Sequence, residues 1–318
     1  MKIGILSRNR SLYSTRRLAQ AGRAQGHHVH IIDTMTVAVE MGLAPNGNHI
    51  KVVMPHAHAF RWGTIAHHVK YVKPVDAIIP RIGTSITEYG LAVVRQFEQQ
   101  QVLTTAPAAA IAQSRDKLRS MQLLVQHKLP IPKTAVIAQP AALYSAVQSV
   151  GGPPVIIKLI QGTQGKGVIL ARNLATAAAV MNKIQRAKRQ ALIQEFISES
   201  AGIDWRLIIV GDKCVAAMER QAAKKGEFRS NLHLGGTAVP LKPDSETINL
   251  AVTAAKAHGL HVAGVDIVPS QRGPLLLEIN SSPGLEGIEK VTGKDIATHI
   301  IHYLESANQE KNRSRRNQ

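Results

Sequence analysis

The chain has 318 residues, of which 44% are hydrophobic and only 3% aromatic. That length can bury a large core over roughly two or three domains, and no apolar run approaches the ~20 residues of a membrane span. Its 39 basic and 21 acidic residues give +18 with histidines neutral, which suits polyanionic partners, while the scarcity of aromatics argues against base-stacking platforms. Cys214 is the only cysteine, so an internal disulfide is excluded. The apolar start is also too short for a signal peptide, so the expected compartment is the cytoplasm, with no membrane partner.

Residues 2–6 and 28–32 read as strands, with Leu12, Leu18, Ala19, Ala21 and Gly22 on a helix between them. This βαβ opening lacks G-x-G-x-x-G and is not read as a dinucleotide site. Residues 44–75 are irregular and carry His49, His56, His58, His67 and His68 with no carboxylate or cysteine between them. A surface insertion is favoured there over a metal site. Residues 77–80 form a buried strand, followed by Arg81-Ile82-Gly83-Thr84. Open α/β sheets take ligands at that strand end, so Arg81 is either an anion contact or a structural arginine. A helix over 86–100 leads to a break at Ala106-Pro107, and Ser114 opens another helix that Pro130-Ile131-Pro132 ends.

A strand over 134–138 and a helix over 140–149 precede a strand–glycine loop–strand unit at residues 155–170. It has neither the spacing nor the following helix of a Walker A loop. Gly162, Gly165 and Gly167 can still turn backbone N–H groups onto phosphates and fold over a nucleotide, and Lys158 can reach a phosphate as a point charge. A helix over 174–187 and a strand over 191–194 lead into Glu195-Phe196-Ile197. Strands over 204–210 and 214–219 flank the turn Gly211-Asp212. Residues 224–236 are polar with paired glycines, a ligand loop in which Arg229 can fork to phosphate oxygens and Asn231 can donate or coordinate. A helix over 244–258 follows.

The most informative stretch is Val262 to Lys290. The turn signal Ser270-Gln271-Arg272-Gly273 predicts a hairpin with residue 266 opposite residue 278. Val262, Gly264 and Asp266 then share a face with Leu276, Glu278 and Asn280, leaving Val265, Ile267, Leu277 and Ile279 for burial. Two carboxylates and an amide oxygen on one rigid face suit Mg²⁺ or Mn²⁺. Ser281 to Gly287 reads as a turn closing this hairpin. The basic tail 306–318 shows no apolar face and is expected to be disordered.

The motifs IIPRIGTSIT, RDKLRSMQLL, GTQGKGV, QEFI, EFRSNLH, AGVDI and LEINSSPGLEGIEK stand in that order. In them the chain resembles the ATP-grasp superfamily, and within it the RimK-type α-L-glutamate ligases, over residues 1 to 305. The resemblance implies a mixed α/β and α+β architecture: an N-terminal βαβ, Rossmann-like pre-ATP-grasp domain over 1–105, an ATP-grasp small subdomain with a glycine lid over 106–188, and a C-terminal subdomain with a metal site over 189–305.

It further implies that Lys117 and Lys158 contact phosphates under a lid carrying Gly162, Gly165 and Gly167. Glu195, Phe196 and Ile197 would meet adenine, and Asp204 the ribose. Arg229, Ser230 and Asn231 would meet the triphosphate, with Arg229 also stabilising the tetrahedral intermediate. Asp266, Glu278 and Asn280 would hold two Mg²⁺ or Mn²⁺ ions, and Ser281 to Gly287 becomes a wall of the acceptor or glutamate pocket. The implied reaction is ATP-dependent addition of L-glutamate to the acidic C-terminus of small-subunit ribosomal protein S-six. Rival acceptors are oligoglutamate (making poly-α-glutamate), a cofactor or a carrier protein. A rival of another class is a non-catalytic basic ribosome-binding protein. A homo-oligomer is compatible with either reading.

Overall fold

The computed structural model describes residues 1–40, 43–44, 47–48, 51–55, 69–160, 167–224, 227–230 and 235–316. His49, His56, His58, His67, His68, Gly162, Gly165 and Asn231 lie outside the described residues, so the readings placed on them are not addressed by it.

The opening forms as periodicity predicts. β1 (Lys2–Leu6), α1 (Tyr13–Ala24) and β2 (His28–Ile32) make a βαβ unit. Short strands β3 (Ala38–Glu40), β4 (Leu43–Ala44), β5 (Gly47–Asn48), β6 (Lys51–Pro55) and β7 (Val69–Tyr71) follow. Next come β8 (Ala77–Pro80), α2 (Thr87–Gln99) and β9 (Leu103–Thr104), completing a parallel sheet of order β2-β1-β8-β9. Its alternating apolar residues feed two cores: Ile3 and Ile5 pack on one side, Leu6 and Ile78 on the other.

The helix expected from Ser114 is two helices, α3 (Ala108–Arg115) and α4 (Lys117–Gln126). Asp116 interrupts them because its backbone is extended (φ −86°, ψ 103°) and its carboxylate accepts from the amides of Leu118 (3.0 Å) and Arg119 (3.1 Å). That is an N-cap, and it satisfies donors that α4 itself cannot.

β10 (Thr134–Val136), α5 (Leu143–Ser149), β11 (Val155–Leu159), β12 (Val168–Ala171), α6 (Leu174–Arg186) and β13 (Ala191–Glu195) form the second layer. Its antiparallel sheet has the order β10-β13-β11-β12. Val147, Val155, Ile157 and Ile193 close a separate core under it. β13 pairs with both β10 and β11, so this unit runs past the boundary expected at 188/189. Ile111 and Leu124, from α3 and α4, pack instead with Ile267 and Leu276 of the third layer. The small unit is therefore narrower at its start than 106–188 and longer at its end, since burial rather than chain order assigns α3 and α4.

The third layer comprises β14 (Ile203–Val210), β15 (Lys213–Gln221), β16 (Thr237–Pro240), α7 (Ser245–Ala257), β17 (Val262–Val268) and β18 (Leu275–Asn280). Its antiparallel sheet has the order β16-β15-β14-β17-β18. α7 covers the face carrying Leu207, Val265 and Ile267. α8 (Glu286–Thr292) and α9 (Ile296–Arg316) cover the other face.

The tail expected to be disordered is instead the end of α9, which continues to Arg316. Ile300, Ile301 and Leu304 anchor the helix between the first and third sheets. Beyond them Lys311 donates to the carbonyl of Gln101, and the Arg315 guanidinium donates to its side chain at 2.6 Å. Polar tethers thus replace the missing apolar face. No helix among the described residues is long and apolar enough to cross a membrane.

Candidate active site

The hairpin pairs as predicted near its acids: Gly264 lies opposite Asn280, and Asp266 opposite Glu278. A bulge follows, with Ile267 opposite Leu276, so Leu277 is the extra residue. The predicted faces are therefore exchanged there. Leu276 is fully buried with Val265 and Ile267, whereas Leu277 turns toward the site.

Neighbouring strands continue the row of charges, because Arg206 on β14 lies directly opposite Asp266. Its guanidinium grips both Asp266 oxygens, Nε–Oδ1 at 2.7 Å and Nη2–Oδ2 at 2.6 Å. Arg220 on β15 reaches Asp266 Oδ2 at 3.1 Å and holds both oxygens of Asp204 at 2.6 and 2.7 Å. Burial alone would raise the Asp266 carboxyl, but Arg206 and Arg220 outweigh it and hold it below the usual carboxylate range.

These arginines are site residues that the sequence reading missed. A signal existed: the Gly211-Asp212 turn folds β15 back so that Arg220 faces Asp204. Asp204 and Arg206 share one face of a strand by alternation.

On the opposite wall Lys158 makes no such ion pair with a described residue. Lys158 leaves β11 into the cavity, and burial pushes its ammonium down to about 8, against the pull of Glu278. Lys117 adds repulsion and is an electrostatic neighbour of Lys158. It is there because Asp116 starts α4 at residue 117. Gly167 brings β12 back beside β11; its φ is +85° and a Cβ would lie 2.6 Å from Leu159 Cδ1, so only glycine fits.

At the end of β13, the Glu195 carboxylate accepts from the Lys133 amide at 3.1 Å and from Arg272 at 2.7 Å. Arg229 is paired to Glu227 at 2.9 Å, and its hydrogen bonds depress the Glu227 carboxyl to about 2.

Asp204, Lys117, Lys158, Glu195 to Ile197, Arg229, Ser230, Asp266, Glu278 and Asn280 all border a single cavity of about 490 Å³ between the second and third sheets. Gly167 directly precedes Val168, the first residue of β12, which borders the cavity. Arg81 joins them from the C-terminal end of β8. The Ser281 to Gly284 loop reaches the same place because Gly264 has no side chain: a Cβ there would stand 2.8 Å from Pro283 Cβ. Ser282 then donates to the Pro80 carbonyl at 3.0 Å, and the Leu285 amide donates to Ser14 Oγ at 3.0 Å. The first and third sheets are joined at the wall of the cavity.

Asp266, Glu278 and Asn280 fit a hard divalent cation in donor type and placement, with the remaining positions left to phosphate and water. Among the described residues no group of three or more His, Cys, Asp or Glu could hold a metal ion. The Asn280 amide nitrogen is buried with no hydrogen-bond partner among the described residues, an unmet polar group that a ligand in the cavity would satisfy.

Comparison with known proteins places this geometry. A RimK-like ATP-grasp domain model matches residues 114–304, and a RimK PreATP-grasp domain model matches residues 1–111. The chain is 48% identical over 316 residues to the "Probable alpha-L-glutamate ligase 1" of Hahella chejuensis, covering 99% of this chain and 98% of the relative. It is 47% identical over 317 residues to the "Probable alpha-L-glutamate ligase" of Shewanella loihica, covering 99% of each. The solved ATP-grasp ligase PsnB, complexed with minimal precursor, Mg and ADP, aligns with a TM-score of 0.71 at 18% identity, covering 97% of this chain and 98% of that one. A RimK domain protein from Sphaerobacter thermophilus aligns with a TM-score of 0.65 at 17% identity, covering 96% and 99%. At such identities the solved structures speak for the fold alone. The family models and the near-full-length relatives carry the assignment: the chain belongs to the RimK family of ATP-grasp α-L-glutamate ligases and is an ATP-dependent ligase.

Proposed function

We propose that this enzyme adds L-glutamate to the C-terminal glutamate of small-subunit ribosomal protein S-six, in the cytoplasm where that acceptor is made. The observation that carries the reading is the row Arg206, Asp266, Glu278 across β14, β17 and β18, facing Lys158 over one cavity. Oxygen donors on one wall and cations on the other suit a metal-bound triphosphate.

In this reading Lys117 and Lys158 bind phosphate oxygens, and Arg229 and Ser230 meet the triphosphate, with Asn231 beside them in sequence. Glu195, Phe196 and Ile197 receive the adenine and Asp204 the ribose. Asp266, Glu278 and Asn280 would hold two Mg²⁺ or Mn²⁺ ions, whose chemistry when bound is to offset charge on the transferring phosphoryl group. The acceptor carboxylate oxygen attacks the γ-phosphorus and ADP leaves, giving an acyl-phosphate. The amine of glutamate attacks the acyl carbon, the C–O bond to phosphate breaks, and an amide forms with loss of the amine proton. Arg229 stabilises the charge on the tetrahedral oxygen. A lid carrying Gly162, Gly165 and Gly167 keeps water from the acyl-phosphate.

Asp204 has a second task, because both its oxygens are engaged by Arg220. Holding Arg220 against Asp266 is a positioning role compatible with a ribose contact. The test is glutamate-dependent ADP release with the ribosomal protein as acceptor, with mass spectrometry counting glutamates added. Release without mass gain on that acceptor, but with oligoglutamate lengthening, would transfer the reading to poly-α-glutamate synthesis. No ADP release with any acidic acceptor would overturn it.

A further inference from the structure

The C-terminal edge of the first sheet meets the cavity with cations that have no counter-ion among the described residues. β1 and β8 are neighbours: Leu6 lies opposite Pro80, and the Arg81 amide donates to the Leu6 carbonyl at 2.9 Å. Chain leaving β8 therefore carries Arg81 beside the chain leaving β1, which carries Arg8 and Arg10. Strands in a sheet are about 4.8 Å apart, so the two exits are adjacent. Arg81 lies inside the cavity with Ser282 and Gly284, whereas Arg8 and Arg10 are exposed outside it.

None of the three guanidiniums makes a hydrogen bond or ion pair with a described residue. Arg115 shows the contrast. It donates to the Ile82 carbonyl and to Thr87 Oγ1 at 2.6 Å, pinning the loop that presents Arg81. Burial pushes Arg81 down to about 10, so it is charged at neutral pH without a carboxylate to pay for that burial. The adjoining first turn of α1 holds no acid. A half-buried cation with no partner among the described residues, followed outward by two exposed ones, is a row for an anion longer than one amino acid.

We propose that Arg81, Arg8 and Arg10 form a track for an acidic acceptor peptide, Arg81 taking a carboxylate near the reacting end and Arg8 and Arg10 those further back. The proposal rests on the glutamate-ligase reading and names where that acceptor lies. Extended peptide presents alternate side chains on one side about every 6.7 Å, a repeat that a row of forked guanidiniums can follow. A nucleic-acid backbone could meet Arg8 and Arg10 on the surface but not Arg81 within the cavity.

The experiment measures fluorescence anisotropy of labelled oligo-α-L-glutamates of two and six residues, with AMPPNP and Mg²⁺ present. The double variant R8A/R10A is expected to weaken the six-residue peptide by about fivefold or more, with little effect on the two-residue one. R81K, keeping the charge but losing the fork, is expected to weaken both. The R8A/R10A loss should shrink as salt rises. Retained AMPPNP affinity reports that each variant is folded. Unchanged affinity of R8A/R10A for the long peptide, equal loss for both lengths, or displacement of the peptide by single-stranded RNA would overturn the track. If the wild type lengthens acidic peptides while the variants bind them normally, the track falls and the ligase reading stands. If no acidic acceptor is lengthened by the wild type, both fall.

Discussion

The two walls of the cavity treat charge in opposite ways. On the third sheet each acid beside the site except Glu278 is gripped by arginine: Arg206 and Arg220 on Asp266, Arg220 on Asp204. On the second sheet Lys158 is half-buried and makes no ion pair with a described residue, and the same holds for Arg81 at the end of the first sheet. Paired charges on a five-stranded sheet give a wall whose geometry is set before ligand arrives. Unpaired cations give a wall whose electrostatic demand only an anion meets. The difference separates residues that position from residues that bind, and substitutions should separate them too.

The largest effect is expected at Glu278, the acid that arginine does not hold. Glu278→Gln should lower kcat on the order of 10³-fold or more while leaving the free energy of unfolding in urea within about 0.5 kcal/mol of wild type. Near-normal ligation would remove the metal role from this row. Asp266→Asn should behave differently, losing activity and also about 3 kcal/mol of stability, because Arg206 would be left without its charge partner. Chemical denaturation measures it, and an unchanged midpoint would mean that the arginines do not depend on Asp266.

A smaller effect concerns the opposite wall. Lys158 is depressed to about 8, so in the free enzyme its charge is present below that pH and lost above it. The kcat/KM for ATP should fall about tenfold per pH unit above about 8, and Lys158→Arg should remove that limb because arginine stays charged. A limb that persists in the variant would assign it to another group. The smallest effect is expected at Gly264→Ala, whose new Cβ would press on Pro283. Displacing the loop should cost about 1 kcal/mol and raise the acceptor KM several-fold with ATP affinity kept. Equal losses for both substrates would put the loop outside the acceptor site.

Much of this was legible beforehand, and the misses share a cause. Strand alternation and a turn signal were enough to set Asp266 opposite Glu278, because hairpin partners are close in sequence. The bulge at Leu277 was not legible, since one extra residue leaves the apolar pattern almost unchanged while reversing the side-chain faces beyond it. Arg206 is 60 residues from Asp266, and nothing local marks them as partners. The polar end of α9 carries no apolar period, so composition suggested disorder where contacts to Gln101 hold a helix.

By itself the sequence determined the order of elements, the family and the chemical types at the site, because periodicity, turn residues and motif spacing are local properties. Only the tertiary structure decided which charges are compensated and which are left open. That depends on neighbours across strands and between sheets: Arg220 reaching two acids at once, α3 and α4 leaving the small unit for the larger core, and Arg81 arriving at the cavity from the first sheet. Electrostatic energy depends on distance in space rather than separation along the chain.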